Sequence, residues 1–168
     1  MTTEITCFKA YDIRGRVPDQ LNEDIAYRIG RAYAALLSPE RVVVGFDIRL
    51  TSEALCAAVS RGLMDGGTDV LNIGQCGTEE VYFATSHLNA DGGIAVTASH
   101  NPKNYNGMKL VRENSRPISA DTGLFDIKKL AEQSQFPEPE KIGVLESVNT
   151  KPAYIEHLLA YVDASLLK

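Results

Sequence analysis

A hydroxyl, an imidazole and an amide stand in a row at Ser99-His100-Asn101, directly after six small or apolar residues, Gly93 to Ala98. Such a run suits a buried strand, and Pro102 closes the polar stretch. Ligands in open α/β sheets sit at the carboxyl ends of strands, so Ser99 stands where chemistry belongs. The rival reading is an ordinary turn or helix-cap serine. As an acyl nucleophile Ser99 is poorly served. It lacks a G-x-S-x-G elbow, and adjacent side chains tend to diverge, which makes His100 a poor general base. His87 and His157 fall in expected helices without an acidic orienter, so a triad is disfavoured.

As a phosphoryl carrier Ser99 has better company. Lys103, Lys109, Arg112 and Arg116 follow it against one acid, Glu113, a local excess of three positive charges. A phosphoserine adds roughly two negative charges and three strong acceptors, which such a cluster would stabilise. For Arg112 and Arg116 the plainer reading is a solvated face. Lys109 shares a strand face with Gly107 and Val111, opposite Met108 and Leu110. There it could act as a base or phosphate contact, or snorkel to water. Tyr11 and Arg14 lie in the run Phe8–Gly15, where Asp12 can pair with an arginine. Asp47 and Arg49 end an earlier strand and so share the sheet edge with Ser99. A loop salt bridge alone would also explain them.

The elements that must position these residues alternate. Asn22 caps an amphipathic helix carrying Ile25, Ile29, Ala32, Tyr33 and Leu36, which Ser38-Pro39 stops. Arg41–Ile48 is a strand, and Thr51 or Ser52 caps a second helix that Gly66-Gly67 ends. A strand over 69–73, a helix near 79–88 and a strand over 94–98 follow. Residues 107–111 read as a strand entered through an Asn106-Gly107 tight turn, Ser119 opens a helix, and 143–148 is a last strand. Residues 1–19 show no clear period. Strand–helix alternation predicts a three-layer α/β/α sandwich with a mixed, mostly parallel sheet. One antiparallel strand is expected, from the segment after Asn106-Gly107 or from Gly143–Val148. Lys151–Leu167 reads as a separate helix with one apolar stripe, Ile155, Leu158, Leu159, Val162 and Leu166.

Length and composition set the outer bounds. The 168 residues are 44% hydrophobic, with a net charge of −5, which fits one globular domain and argues against nucleic acid as a partner. Cys7, Cys56 and Cys76 form no C-x-x-C pair, which fits reduced thiols and a cytoplasmic protein. No apolar run approaches the roughly 20 residues of a membrane span, so no membrane partner is expected. The common nucleotide-binding fingerprints GxGxxG and GxxxxGK[ST] are absent.

The combination of motifs resembles a known family. Thr97-Ala98-Ser99-His100-Asn101-Pro102, followed by Tyr105-Asn106-Gly107-x-Lys109, resembles the phosphoserine loop of the α-D-phosphohexomutases. Phe8-Lys9-Ala10-Tyr11-Asp12-Ile13-Arg14-Gly15 resembles their N-terminal signature, and Gly45-x-Asp47-x-Arg49 with Ser52 resembles a third element. The resemblance implies phosphoserine-mediated movement of phosphate between O6 and O1 of a hexose phosphate, through a hexose 1,6-bisphosphate that also serves as activator. Ser99 would carry the phosphoryl group and, through it, touch Mg²⁺. His100 and Lys109 would assist proton transfer or contact substrate, Tyr11, Arg14 and Asn101 would hold the loop and phosphate, and Asp47 and Arg49 would support them. Gly77-Thr78-Glu79-Glu80 resembles the bacterial mannomutase-type branch, which favours mannose over glucose.

The family enzyme has four domains. This chain resembles the first, over 1–149, and the helix opening the second, over 150–168. The acidic DGDxDR-type metal loop and the rest of domains II–IV have no counterpart here. A fragment with little or no mutase activity is therefore expected. Its final helix, 151–167, should be loosely attached or self-associating, with Leu158 and Leu159 exposed. A non-catalytic phosphate-binding module, or more weakly a serine esterase, are the alternative readings.

Overall fold

The computed structural model describes residues 4–163 and Leu166. Its strands are β1 (Ile13–Arg16), β2 (Arg41–Phe46), β3 (Asp69–Gln75), β4 (Gly92–Val96), β5 (Tyr105–Arg112) and β6 (Leu145–Ser147). Its α-helices are α1 (Glu23–Leu37), α2 (Ser52–Met64), α3 (Thr78–His87), α4 (Leu124–Gln133) and α5 (Lys151–Leu159). The strands form one sheet in the order β1-β5-β4-β2-β3-β6. β4, β2, β3 and β6 run parallel, while β5 lies antiparallel to both β4 and β1. The single antiparallel strand is thus β5, the segment expected after Asn106-Gly107, and Gly143–Val148 contributes the parallel β6.

Period-2 alternation sends the two faces of each strand into different cores. Val42 and Val44 of β2, Ile94 and Val96 of β4, and Met108 and Leu110 of β5 pack with Ile29, Leu55, Leu63, Leu124 and Ile127 of α1, α2 and α4. Val43 and Ala95 point the other way, to Val81 and Ala84 of α3. Each fully buried Ile or Leu contributes about 1.5–3 kcal/mol. The result is the three-layer α/β/α sandwich. Helices α1 and α2 approach each other backbone to backbone. A Cβ added at Gly62 would strike the Tyr27 carbonyl, and one at Gly30 the Val59 carbonyl.

The caps follow the sequence in part. Asn22 accepts from the Ile25 N–H at 3.0 Å and starts α1. Thr51 precedes α2 without a side-chain cap; its hydroxyl accepts from Asn106 of β5, and that of Ser52 bonds to Asn106 and Asp47. Asn106-Gly107 is not a turn. Both residues lie inside β5, where Asn106 is fully buried. Only a glycine fits at 107, since a Cβ there would run into the Ile13 carbonyl of β1 and crowd the Thr97 carbonyl. Residues 13–16, without a period in the sequence, form an edge strand by pairing with β5. Helix α5 ends at Leu159, short of the expected Leu167. Residues 164, 165 and 167 of that expectation lie outside the described residues. Leu158 and Leu159 are 47% and 52% exposed. No helix among the described residues is long and apolar enough to cross a membrane.

Candidate active site

The chain leaves β2 toward β3 through α2 on one face, then returns from β3 to β4 through α3 on the other. Adjacent strands β2 and β4 therefore send their following loops to one place at the carboxyl edge, where such reversals form ligand crevices. The Asp47 N–H donates to the Val96 carbonyl at 3.0 Å and joins the two loops at their root.

Ser99 is exposed and has φ of +53°, a left-handed backbone that costs a non-glycine residue free energy. Local bonds help to hold it. Its N–H donates to Thr97 Oγ1 at 2.9 Å, the short side-chain turn that threonine favours two residues upstream. Asn101 closes a tight turn by donating to the Ala98 carbonyl from both its backbone N–H, at 3.0 Å, and its side-chain amide, at 2.8 Å. One consequence corrects the sequence reading of His100. Its Nδ1 lies 3.4 Å from Ser99 Oγ, so the two side chains converge where adjacent residues were expected to diverge. The left-handed turn brings them together, within the range of a loose nucleophile–base contact in an unliganded site.

Arg49 reaches across from the β2 loop. Its guanidinium donates to the carbonyls of Ser99 and Asn101, both at 2.7 Å, and of Pro102 and Tyr105, both at 2.9 Å. Asp47 stands 3.4 Å behind its Nε. Asp47 also accepts from the Arg49 N–H at 3.0 Å and from Ser52 Oγ at 2.5 Å. Ser52 and Thr51 in turn accept from the Asn106 amide, each at 2.9 Å. Sequence reasoning missed Asn106 and Thr97. The Asn-Gly dipeptide pointed to a turn, whereas the Thr-x-Ser spacing was a usable signal for the Thr97 contact.

A second cluster lies on the α3 side of the sheet. Asp12 is buried, and its Oδ2 is 2.5 Å from Arg14 Nη2 and 3.6 Å from Lys109 Nζ. Lys109 sits opposite Ala95 in β4 and Arg14 opposite Gly107 in β5, so the structure joins these cations through Asp12. Burial, and then the Asp12 charge, push the nearby Tyr82 phenol above its usual range. Tyr11 is 80% exposed. The four cations counted after Ser99 do not gather around it, and Arg112 and Arg116 follow the plainer reading given for them. Arg112 pairs with Gly92 at the start of β4, the far end from Ser99, and donates to the Thr122 carbonyl. Arg116 is paired with Glu113. Lys103 is exposed.

These residues do not make a Mg²⁺ cage. Among the described residues no three His, Cys, Asp or Glu side chains converge. The two carboxylates of this region, Asp12 and Asp47, are taken up by Arg14 and Lys109 and by Arg49 and Ser52.

The family described as phosphoglucomutase/phosphomannomutase, alpha/beta/alpha domain I, matches residues 6–138. A phosphomannomutase of Escherichia coli is 64% identical over 96% of this chain and 36% of its own length. A phosphomannomutase of Klebsiella pneumoniae is 64% identical over 92% of this chain and 99% of its own length. Several of the curated relatives are thus nearly three times longer than the part matched, and one is of similar length. In the solved structure of a phosphoglucomutase/phosphomannomutase family protein from Burkholderia thailandensis, the match covers 97% of this chain and 37% of that one. It has a TM-score of 0.86 and 32% identity. With its sandwich, its Ser99 loop and these matches, the chain belongs to the phosphoglucomutase/phosphomannomutase family, as its α/β/α domain I.

Proposed function

We propose that Ser99 is the phosphoryl carrier of a hexose-phosphate mutase, and that this chain supplies the carrier loop of that enzyme. The reading rests above all on the Ser99 hydroxyl itself. It is exposed at the switch point of the sheet, on a turn that brings His100 Nδ1 to 3.4 Å. In the transfer, Ser99 Oγ attacks a phosphorus of a hexose 1,6-bisphosphate. The Oγ–P bond forms as the P–O bond to the sugar breaks. The Oγ proton passes to His100 or water, and the departing sugar oxygen takes up a proton in its place. The reverse step returns the phosphoryl group to the other hydroxyl of the monophosphate, so that phosphate moves between O6 and O1. Lys109, Arg14, Tyr11 and Asn101 are the candidate contacts for the sugar phosphate. Mannose is the favoured hexose, since curated relatives 64% identical to this chain carry the name phosphomannomutase. Mg²⁺ lacks a ligand set of three acidic, histidine or cysteine side chains among the described residues.

The test incubates the chain with mannose 1,6-bisphosphate and follows its intact mass. A gain of one phosphoryl group, lost in Ser99→Ala, is expected, together with little net mutase turnover by the chain alone. A chain that gains no mass, or gains it equally without Ser99, overturns the reading.

A further inference from the structure

We propose that Arg49 is the positioning residue of the Ser99 loop, acting through the backbone to hold the nucleophile in its left-handed turn. The inference rests on the reading of Ser99 as phosphoryl carrier and adds to it the part that aims the hydroxyl.

The geometry is specific to arginine. A guanidinium has five N–H donors in a rigid planar fork. Here four carbonyls, those of Ser99, Asn101, Pro102 and Tyr105, lie 2.7–2.9 Å from its two terminal nitrogens. The fifth donor, Nε, faces Asp47. Every donor is thus directed at protein, which leaves Arg49 no donor for substrate. Its side chain is only 12% exposed, and Asp47 is itself fixed by Ser52.

Arg49 is the side chain that ties both ends of the loop together. Other bonds of residues 99–103 are short-range, from Ser99 to Thr97 and from Asn101 to Ala98, while the end of the loop is anchored on β1, where the Asn104 carbonyl accepts from the Val17 N–H at 2.9 Å and Tyr105 pairs with Arg16. Ser99 holds a positive φ, which persists in a non-glycine residue only when its surroundings over-determine it. Thr97 holds the N–H of Ser99 and Arg49 its carbonyl, so both peptides flanking that φ are tied. A lysine at 49 would keep the charge but offers three donors on a flexible stem, and so cannot serve four carbonyls and Asp47 together.

The experiment follows phosphoryl uptake from mannose 1,6-bisphosphate by the full chain and by Arg49→Lys and Arg49→Ala. The expected result is an uptake rate lower by roughly 10- to 100-fold in both variants, the scale of a slightly misplaced reacting group. The half-saturating donor concentration should change little. Millimolar methylguanidinium should restore part of the rate in Arg49→Ala and none in Arg49→Lys, a response that a general loss of stability would not give. Wild-type rates in Arg49→Lys, or no rescue of Arg49→Ala, overturn the inference. If the unmodified chain takes up no phosphoryl group, the carrier reading fails instead. Amide exchange then decides on Arg49. Faster exchange across His100–Tyr105 in Arg49→Lys, with Val43 and Val44 unchanged, supports the positioning role, and unchanged loop exchange overturns it.

Discussion

Asn106 donates through its side-chain amide to Ser52 Oγ at 2.9 Å, which ties the buried start of β5 to the first turn of α2. The same amide reaches Thr51 Oγ1, and its oxygen accepts from the Gly107 N–H at 2.8 Å. Ser52 passes the connection on to Asp47. Three bonds of one buried side chain therefore underlie the Arg49–Asp47 pair without touching it. Asn106→Ala removes all three and leaves buried polar atoms unpaired, so a loss of about 1–3 kcal/mol in urea unfolding is expected. Asn106→Asp should be worse, because it sets a second carboxylate beside the Ser52 hydroxyl that already serves Asp47. If both variants match the wild type in urea, the network does not stabilise the fold.

How far the sequence disclosed this arrangement depends on the range of each signal. The helices α1 and α2, the strands β2 to β4 and the gathering of Asp47, Arg49 and Ser99 at one edge were legible, because periodicity and parallel alternation are local patterns with a fixed consequence. β1 was not legible. Its four residues IRGR become a strand only by pairing with β5, a partner some ninety residues away in the chain. Asn106-Gly107 misled for a related reason. The dipeptide suits a tight turn, yet here the glycine admits the Ile13 carbonyl and the asparagine serves Thr51 and Ser52. The convergence of His100 on Ser99 depended on one backbone angle that no spacing rule encodes. A charge count alone could not separate the cations near Ser99 from the rest, because β5 is long enough to carry Arg112 to the opposite end of the sheet.

Asp12 lies between two cations that would otherwise face each other, Arg14 at 2.5 Å and Lys109 at 3.6 Å. Asp12 is buried, while the cations keep about a third of their surface in water. Asp12→Asn should therefore cost about 1–3 kcal/mol, the scale of losing a charge-assisted bond at a partly solvated site. The Tyr82 phenol supplies a local reporter. Its pKa is raised first by burial and then by Asp12, so in Asp12→Asn it should fall yet stay above that of a free tyrosine. A ¹³C NMR titration of the Tyr82 ring reads this directly. An unmoved Tyr82 would mean that the Asp12 charge does not reach it.

The thiols set a limit on alkaline stability. Burial pushes Cys7 up to about 11 and Cys56 up to about 12, from an ordinary 9.0. Below pH 9 both states hold these protons, so the thiols add no pH dependence. Above pH 9 the unfolded chain releases them while the folded chain keeps them, and stability falls with rising pH. The fall ends near the folded values, at about pH 11 for Cys7 and 12 for Cys56. Each thiol contributes a slope of about 1.4 kcal/mol per pH unit within its window. Urea unfolding at pH 8 and pH 10 should show this loss, and a Cys7→Ala, Cys56→Ala double variant should show a smaller one. Equal losses in both proteins would place the alkaline sensitivity elsewhere.

Helix α5 is held by few contacts, and Phe83 of α3 is at their centre. Its ring centroid lies 5.3 Å from Tyr154 and 4.9 Å from His157, with His87 stacked on it at 4.9 Å. By contrast Ile155, Leu158 and Leu159 of α5 are each about half exposed. Aromatic pairs of this kind contribute about 0.5–1.5 kcal/mol beyond the area they bury, a large share of what a nine-residue helix can draw on, since helices this short are marginal without packing. Phe83→Ala should therefore release α5 while the sandwich stays folded, because Phe83 is only partly buried and lies outside both cores. Limited proteolysis should cut the variant first within 151–162, where the wild type resists, with the midpoint of urea unfolding lowered by little. Protection of α5 in Phe83→Ala would show that other contacts dock the helix.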